Sequence, residues 1–240
     1  MSTELLSVLI VVPTIAVVIA LFWVLWKGRS SAHQSSIAIV SGVVLAAWAL
    51  IDSVLARRGA FLPPDDQSAP PIGIHLAVVL LGLALALTLS SNLRSLLTNQ
   101  KHLIWLNVWR LVGVVFLFLM AGGQMPALWA LPAGIGDVIV GATAPWVANQ
   151  LDKPGGRRIA IIFNLFGILD LIVAVGLGIM TSTGPLRVFH TTPTSELATR
   201  FPLALVPAFL VPLAFALQIV SLWQLLGKPW TVRANVAVSN

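Results

Sequence analysis

The sequence predicts an all-α integral membrane protein: a bundle of seven transmembrane helices, with the N-terminus outside and the C-terminus cytoplasmic. Three observations carry this expectation. The chain is 58% hydrophobic and 9% charged, with a mean hydropathy of +0.96. A soluble domain carries about 25% charged residues, so this chain cannot cover a water-facing surface, and the lipid bilayer must be its main solvent. Seven apolar runs each approach the ~20 residues that a helix rising 1.5 Å per residue needs to cross hydrocarbon. The basic residues alternate between loops, a pattern that sets topology.

The first run, 5–26, follows a head without Lys or Arg. It is longer than the ~7–15-residue core of a signal peptide and reads as a retained span. Lys27 and Arg29 follow it. The second run, 37–56, ends at Arg57, Arg58 and the Pro-rich loop 61–71. The third, 72–91, leads to a polar stretch with Arg94 and Lys101. The fourth is 103–123, and a short turn with Pro126 joins it to the fifth, 127–148. Lys153, Arg157 and Arg158 lie in the next loop. The sixth run is 159–180, the loop 181–200 is polar, and the seventh run is 201–226, before a tail with Lys228 and Arg233. All seven belong to one polytopic domain, 1–240.

Lys27, Arg29, Arg94, Lys101, Lys153, Arg157, Arg158, Lys228 and Arg233 fall after odd-numbered spans. Only Arg57, Arg58, Arg187 and Arg200 fall after even-numbered ones. Cytoplasmic loops collect such residues, which places the N-terminus outside a plasma membrane. Trp23, Trp26, Trp105, Trp109, Trp146, Trp223 and Trp230 lie at the same predicted inner ends, where amphipathic rings anchor in headgroups.

Several function classes are excluded or disfavoured. The net charge of +6 and pI near 11.2 do not indicate nucleic acid, because the cations sit in short separate loops rather than on one face. There is no Cys, hence no disulfide, thiolate ligand or Cys nucleophile. His33, His75, His102 and His190 show no ligand spacing, so neither a metal site nor a cofactor is expected. The seventh run has no Lys for a retinal Schiff base.

What chemistry there is lies within the spans. Asp137 and Asp170 are each eleven residues from an inner helix end, roughly 16 Å deep, and Arg110 is roughly 10 Å deep. Ionisable groups at such depth mark function by default. Helical spacing puts Ala133, Asp137, Gly141 and Ala144 on one face of the fifth span. It aligns Asn164, Gly167, Asp170, Ala174 and Gly178 on the sixth, Asn107, Arg110, Gly113 and Ala121 on the fourth, and Ala214, Gln218 and Ser221 on the seventh. Small residues allow close approach and polar ones bond across it, so these four faces should meet. Arg keeps its charge in a protein. One Asp is therefore expected to be ionised and paired with Arg110, and the other, a surplus charge in low dielectric, to be protonated or titratable.

Four lesser features complete the sequence. Asp52 lies near the outer end of the second span, within reach of headgroups or Arg57. Pro202, Pro207 and Pro212 recur every five residues and can each kink the seventh span. The loop 189–200, with Glu196, reads as a solvated loop or an outer lid. An internal echo, G-I-x-D-φ-I-V, relates 134–140 to 167–173.

Gly134-Ile135-Gly136-Asp137 resembles the G-x-G-D motif of intramembrane aspartyl proteases. That resemblance implies a second catalytic Asp sharing a proton with the first, a place Asp170 could take. It covers four residues and departs from the family's pattern elsewhere. No Tyr is available to precede a first Asp, and Pro126-Ala127-Leu128 lies on the motif's own helix rather than a later one. The leading expectation is a transport-type or small-ligand-binding protein with a midplane site from Arg110, Asp137, Asn164, Asp170 and Gln218, taking a small solute or a proton. The alternative is a non-catalytic membrane scaffold whose Arg/Asp seam only locks helices. An enzyme of the protease type is third.

Overall fold

In a computed structural model, residues 2–63 and 70–227 are described. Trp230, Lys228, Arg233 and part of the Pro-rich loop fall outside them. The described chain is all-helical, and seven of its helices are long and apolar enough to cross a membrane.

The spans form where the apolar runs predict, and local chemistry fixes their ends. Helix α1 (Thr3–Lys27) starts at Ser2, whose side chain accepts from the Leu5 N–H, with Glu4 in the first turn. Both features suit the unpaired N–H groups and positive dipole of a helix start. Helix α2 (Ala32–Arg57) is capped in the same way by Ser31. Helix α3 (Pro71–Leu89) begins with Pro in the first turn, where its missing N–H costs nothing. A short α4 (Ser91–Leu96) leads to the fourth span, and α7 (Ala127–Gln150) and α8 (Gly156–Thr181) follow it. Gly155, at φ +82°, makes the turn between α7 and α8, a backbone region that other residues rarely enter.

Two spans differ from the expectation. The fourth is not one uniform α-helix. It runs as α5 (Gln100–Trp105), a 3-10 stretch (Leu106–Gly113) and α6 (Val114–Ala121). At three residues per turn, side chains spaced by three eclipse one another, so Asn107, Arg110 and Gly113 stand in one buried row. Ala121, expected on that face, is exposed. The seventh span starts at Val206, five residues later than its apolar run. It opens with a π turn (Val206–Leu210) before α9 (Val211–Gly227), and the Val211 N–H bonds back five residues to the Val206 carbonyl. Pro202 therefore lies in turns ahead of the helix. Pro207 sits in the first turn, where it is tolerated. Pro212 supplies no N–H, so the Ala208 carbonyl four residues back lacks its usual helical donor.

Helix α7 is central, packed between the fourth span and α8, while α9 closes the other side of α8. Leu, Ile and Val such as Val8, Ile19, Val43, Leu81 and Leu89 point outward and exposed, as lipid-facing side chains do. Helix α3 is the outlier, burying Leu76 alone. The bundle has a basic end, with loops 28–31, 97–99 and 151–155, and an opposite end, with 58–63, 122–126 and 182–205. Trp23, Trp105, Trp146 and Trp223 are exposed near the basic end, but Trp109 is buried in the core.

Candidate functional site

The site is built on close approaches. Where Gly113 faces α7, an added Cβ would collide with Asp137, and at Gly136 it would collide with the Asp170 carboxylate. These two glycines let the 3-10 row, α7 and α8 converge on three charged side chains. The Arg110 Nε donates to Asp137 Oδ1 at 2.6 Å, Nη2 donates to Asp170 Oδ2, and Nη1 donates to the Gly167 carbonyl at 3.3 Å. Arg110 is 0% exposed. The sequence led to the expectation that Arg110 would pair with one Asp; instead it bonds both. With both carboxylates ionised, the cluster carries one surplus negative charge.

Asn164 and Gln218 do not touch these three side chains by hydrogen bond. They belong to two neighbouring sets of amide hydrogen bonds on the side toward the basic end. Gln218 Nε2 donates to Asn107 Oδ1 at 3.3 Å, and Asn164 Nδ2 donates to Ser221 Oγ at 3.0 Å. Ser221 Oγ in turn donates to Gln100 Oε1 at 2.8 Å. Gln100 Nε2 then reaches Gln224 Oε1 at 2.8 Å, and Gln224 Nε2 reaches the Leu97 carbonyl at 2.7 Å. Gln218 Oε1 and Asn164 Oδ1 are buried without a partner among the described residues. Gln100 and Gln224 were not expected here. Their signal was an amide at each end of an apolar run, which alone reads as interface.

On the other side of the charged cluster lies a cavity of about 90 Å³, room for several waters where one needs ~10–15 Å³. Trp129, Ala133 and Asp137 line it at successive turns of α7. Leu171, Ala174, Gly178 and Ser182 line it along α8, and Val206, Pro207 and Val211 along the seventh span. Leu76 and Gly73 of α3 and Phe61 complete the wall toward the opposite end. The lining is almost wholly apolar, and Asp137 is its one charged group among the described residues. Asp137 thus has one oxygen on Arg110 and a side chain 12% exposed. Trp129 Nε1 is held by the Ala174 carbonyl at 2.8 Å, which fixes the ring in the wall.

Asp52 differs from expectation. It is fully buried and faces His75 of α3 at 3.2 Å, while Arg57 lies over the Phe201 ring, 4.0 Å from its centre. Sequence alone does not show which side chain of another span comes alongside. No cluster of three or more His, Asp or Glu side chains with metal-binding geometry occurs among the described residues.

The described residues thus define, by class, an all-helical protein with seven helices long and apolar enough to cross a membrane and a buried Arg–Asp–Asp cluster. Residues 69–226 match a family described only as a domain of unknown function, DUF8737, and the chain belongs to that family. The matched segment holds the whole charged cluster and both sets of amide hydrogen bonds. No curated protein and no solved structure matches.

Proposed function

We propose that the protein binds a small solute or a proton at the Arg110–Asp137–Asp170 cluster, as a transport-type or ligand-binding protein of the plasma membrane. One observation carries this reading: Asp137 both completes the buried cluster and lines a cavity that leads away from it. A purely structural ion pair has no need of such a space. The apolar walls and the surplus negative charge suit a compact solute with an apolar body and one cationic or proton-donating group. The amide groups on the far side continue the polar path toward the basic end. By the bias of basic loops, that end faces the cytoplasm and the cavity opens toward the outside.

The test uses single cysteines at Ala133 and Ala174, both in the cavity wall, in a chain that has none of its own. A membrane-impermeant thiol reagent added from outside should label both, and a solute that fills the cavity should protect them. If neither reacts while a cysteine at the exposed Leu186 does, the cavity is dry and the reading fails.

A second reading is favoured by a different observation. Every nitrogen of Arg110 has an acceptor, as expected of a scaffold in which the cluster only sets helix register. Loss of folded protein with Arg110→Gln, restored by neutralising one or both aspartates, together with dry cysteines, would favour it. The protease-like arrangement is disfavoured because the guanidinium bonds both carboxylates, where a dyad needs them to share a proton.

A further inference from the structure

We infer that Asp52 and His75 form a second proton-binding site, separate from the Arg110 cluster, whose charge state latches α3 to α2 and sets how far the cavity opens at its α3 wall. Asp52 Oδ1 lies 3.2 Å from His75 Nε2, with the Asp52 side chain 0% and His75 21% exposed. The distance is that of an ion pair, but the alignment is not that of a hydrogen bond. Neither carboxylate oxygen has another partner among the described residues, and the Trp48 Nε1–H one turn away on α2 is also buried and unpaired. A carboxylate so placed depends on the imidazole.

The pair is tied to the cavity. Phe61 packs edge-on against the His75 ring at 5.0 Å and lines the cavity with Gly73 and Leu76, which flank His75 on α3. Helix α3 buries Leu76 alone and packs chiefly on α9, α4 and the π turn, so the Asp52–His75 pair is its charged tie to α2. Each packed element brings a limited set of groups. Helix α2 contributes Asp52, α3 contributes His75, and residues 58–63 contribute the Phe61 ring. The π turn, packed on α3, contributes the Ala208 carbonyl, which Pro212 leaves without its usual helical donor. Residues 58–63 also carry Arg58, which is exposed; α4 brings Arg94, held on the Leu87 and Thr88 carbonyls at the far end of α3; α9 brings no charged side chain; and Arg57 is turned onto Phe201.

The direction follows from charge. Protonated His75 neutralises Asp52 and holds the two helices together. Neutral His75 leaves a buried, uncompensated carboxylate, which is costly. Separation of α2 and α3, with water reaching Asp52, relieves that cost. The cavity's α3 wall is therefore closed at low pH and opens as pH rises through the histidine range of about pH 5 to 8.

The experiment places a cysteine at Gly73, where a Cβ meets only the Pro70 ring at 3.5 Å, and follows labelling by an impermeant reagent across that range. Rates are normalised to a cysteine at Leu186 to remove the thiol's own titration. The normalised rate should rise several-fold with pH. The rise should vanish with His75→Gln or Asp52→Asn and persist with Asp137→Asn. A flat wild-type profile, no labelling at any pH, an unchanged profile in a folded His75→Gln or Asp52→Asn protein, or loss of the response with Asp137→Asn would each overturn the proposal. The last would assign the pH response to the Arg110 cluster. The readout at Gly73 is separate from the wetting of Ala133 and Ala174, so the two ideas fail separately.

Discussion

Arg110 carries one charge against two carboxylates, and that imbalance makes its substitutions unequal. Arg110→Gln strands Asp137 and Asp170 together in a buried site, and removing one partner of a buried ion pair costs about 3–5 kcal/mol. Asp137→Asn or Asp170→Asn leaves a balanced one-to-one pair and an amide that can still accept from the guanidinium, so each should cost about 1 kcal/mol. Thermal unfolding of the purified protein in detergent reads this order directly. Heavy damage from Arg110→Gln and from only one of the two Asp→Asn changes would instead mean that the other carboxylate is already neutral and bonded as an acid. The three members were legible in the sequence from their depth and spacing. That Arg110 holds both aspartates was not, because the 3-10 row that aims it depends on packing against α7 and α8.

Helix contacts in this bundle depend on glycines of two kinds. At Gly113, Gly136 and Gly167 an added methyl would run into Asp137, Asp170 and Gln218 respectively, whereas at Gly82 and Gly176 it would meet nothing within 4 Å. Gly→Ala at the first three should destabilise by about 1–3 kcal/mol through overpacking. At the last two it should be neutral or stabilise by about 0.5–1 kcal/mol, because Ala loses less chain entropy in a helix. Denaturation in mixed detergent would separate the two groups, and a uniform response would show that the helices do not approach at these points. Gly113 and Gly167 were legible as seam positions, because small residues alternate there with polar ones. The start of the seventh span was not legible. The stretch 201–212 is apolar throughout, and three prolines gave kink signals without saying which one ends the loop. Asp52 was misread for a similar reason: near a helix end, a carboxylate beside Arg57 suggests a local pair, and only the path of α3 brings His75 to it.

For the whole molecule, hydropathy made the seven spans legible, whereas the cavity is a space between helices and loops distant in sequence, and no local pattern marks it. Its relation to the two sides of the membrane is the largest consequence still to be tested. If all seven helices span, an odd number puts the two helix-bearing ends of the chain on opposite faces, and nine basic residues on one set of loops against four on the other would orient the basic end to the cytoplasm. Single cysteines at Leu186, in the loop at the opposite end, and at Asp152, beside Lys101 at the basic end, test this in intact cells. Leu186→Cys should react with an impermeant reagent from outside, and Asp152→Cys should react only after the membrane is opened. The reverse pattern would turn the cavity mouth toward the cytoplasm. The binding reading would then survive with its solute arriving from inside, and the Asp52–His75 latch would respond to cytoplasmic rather than external pH.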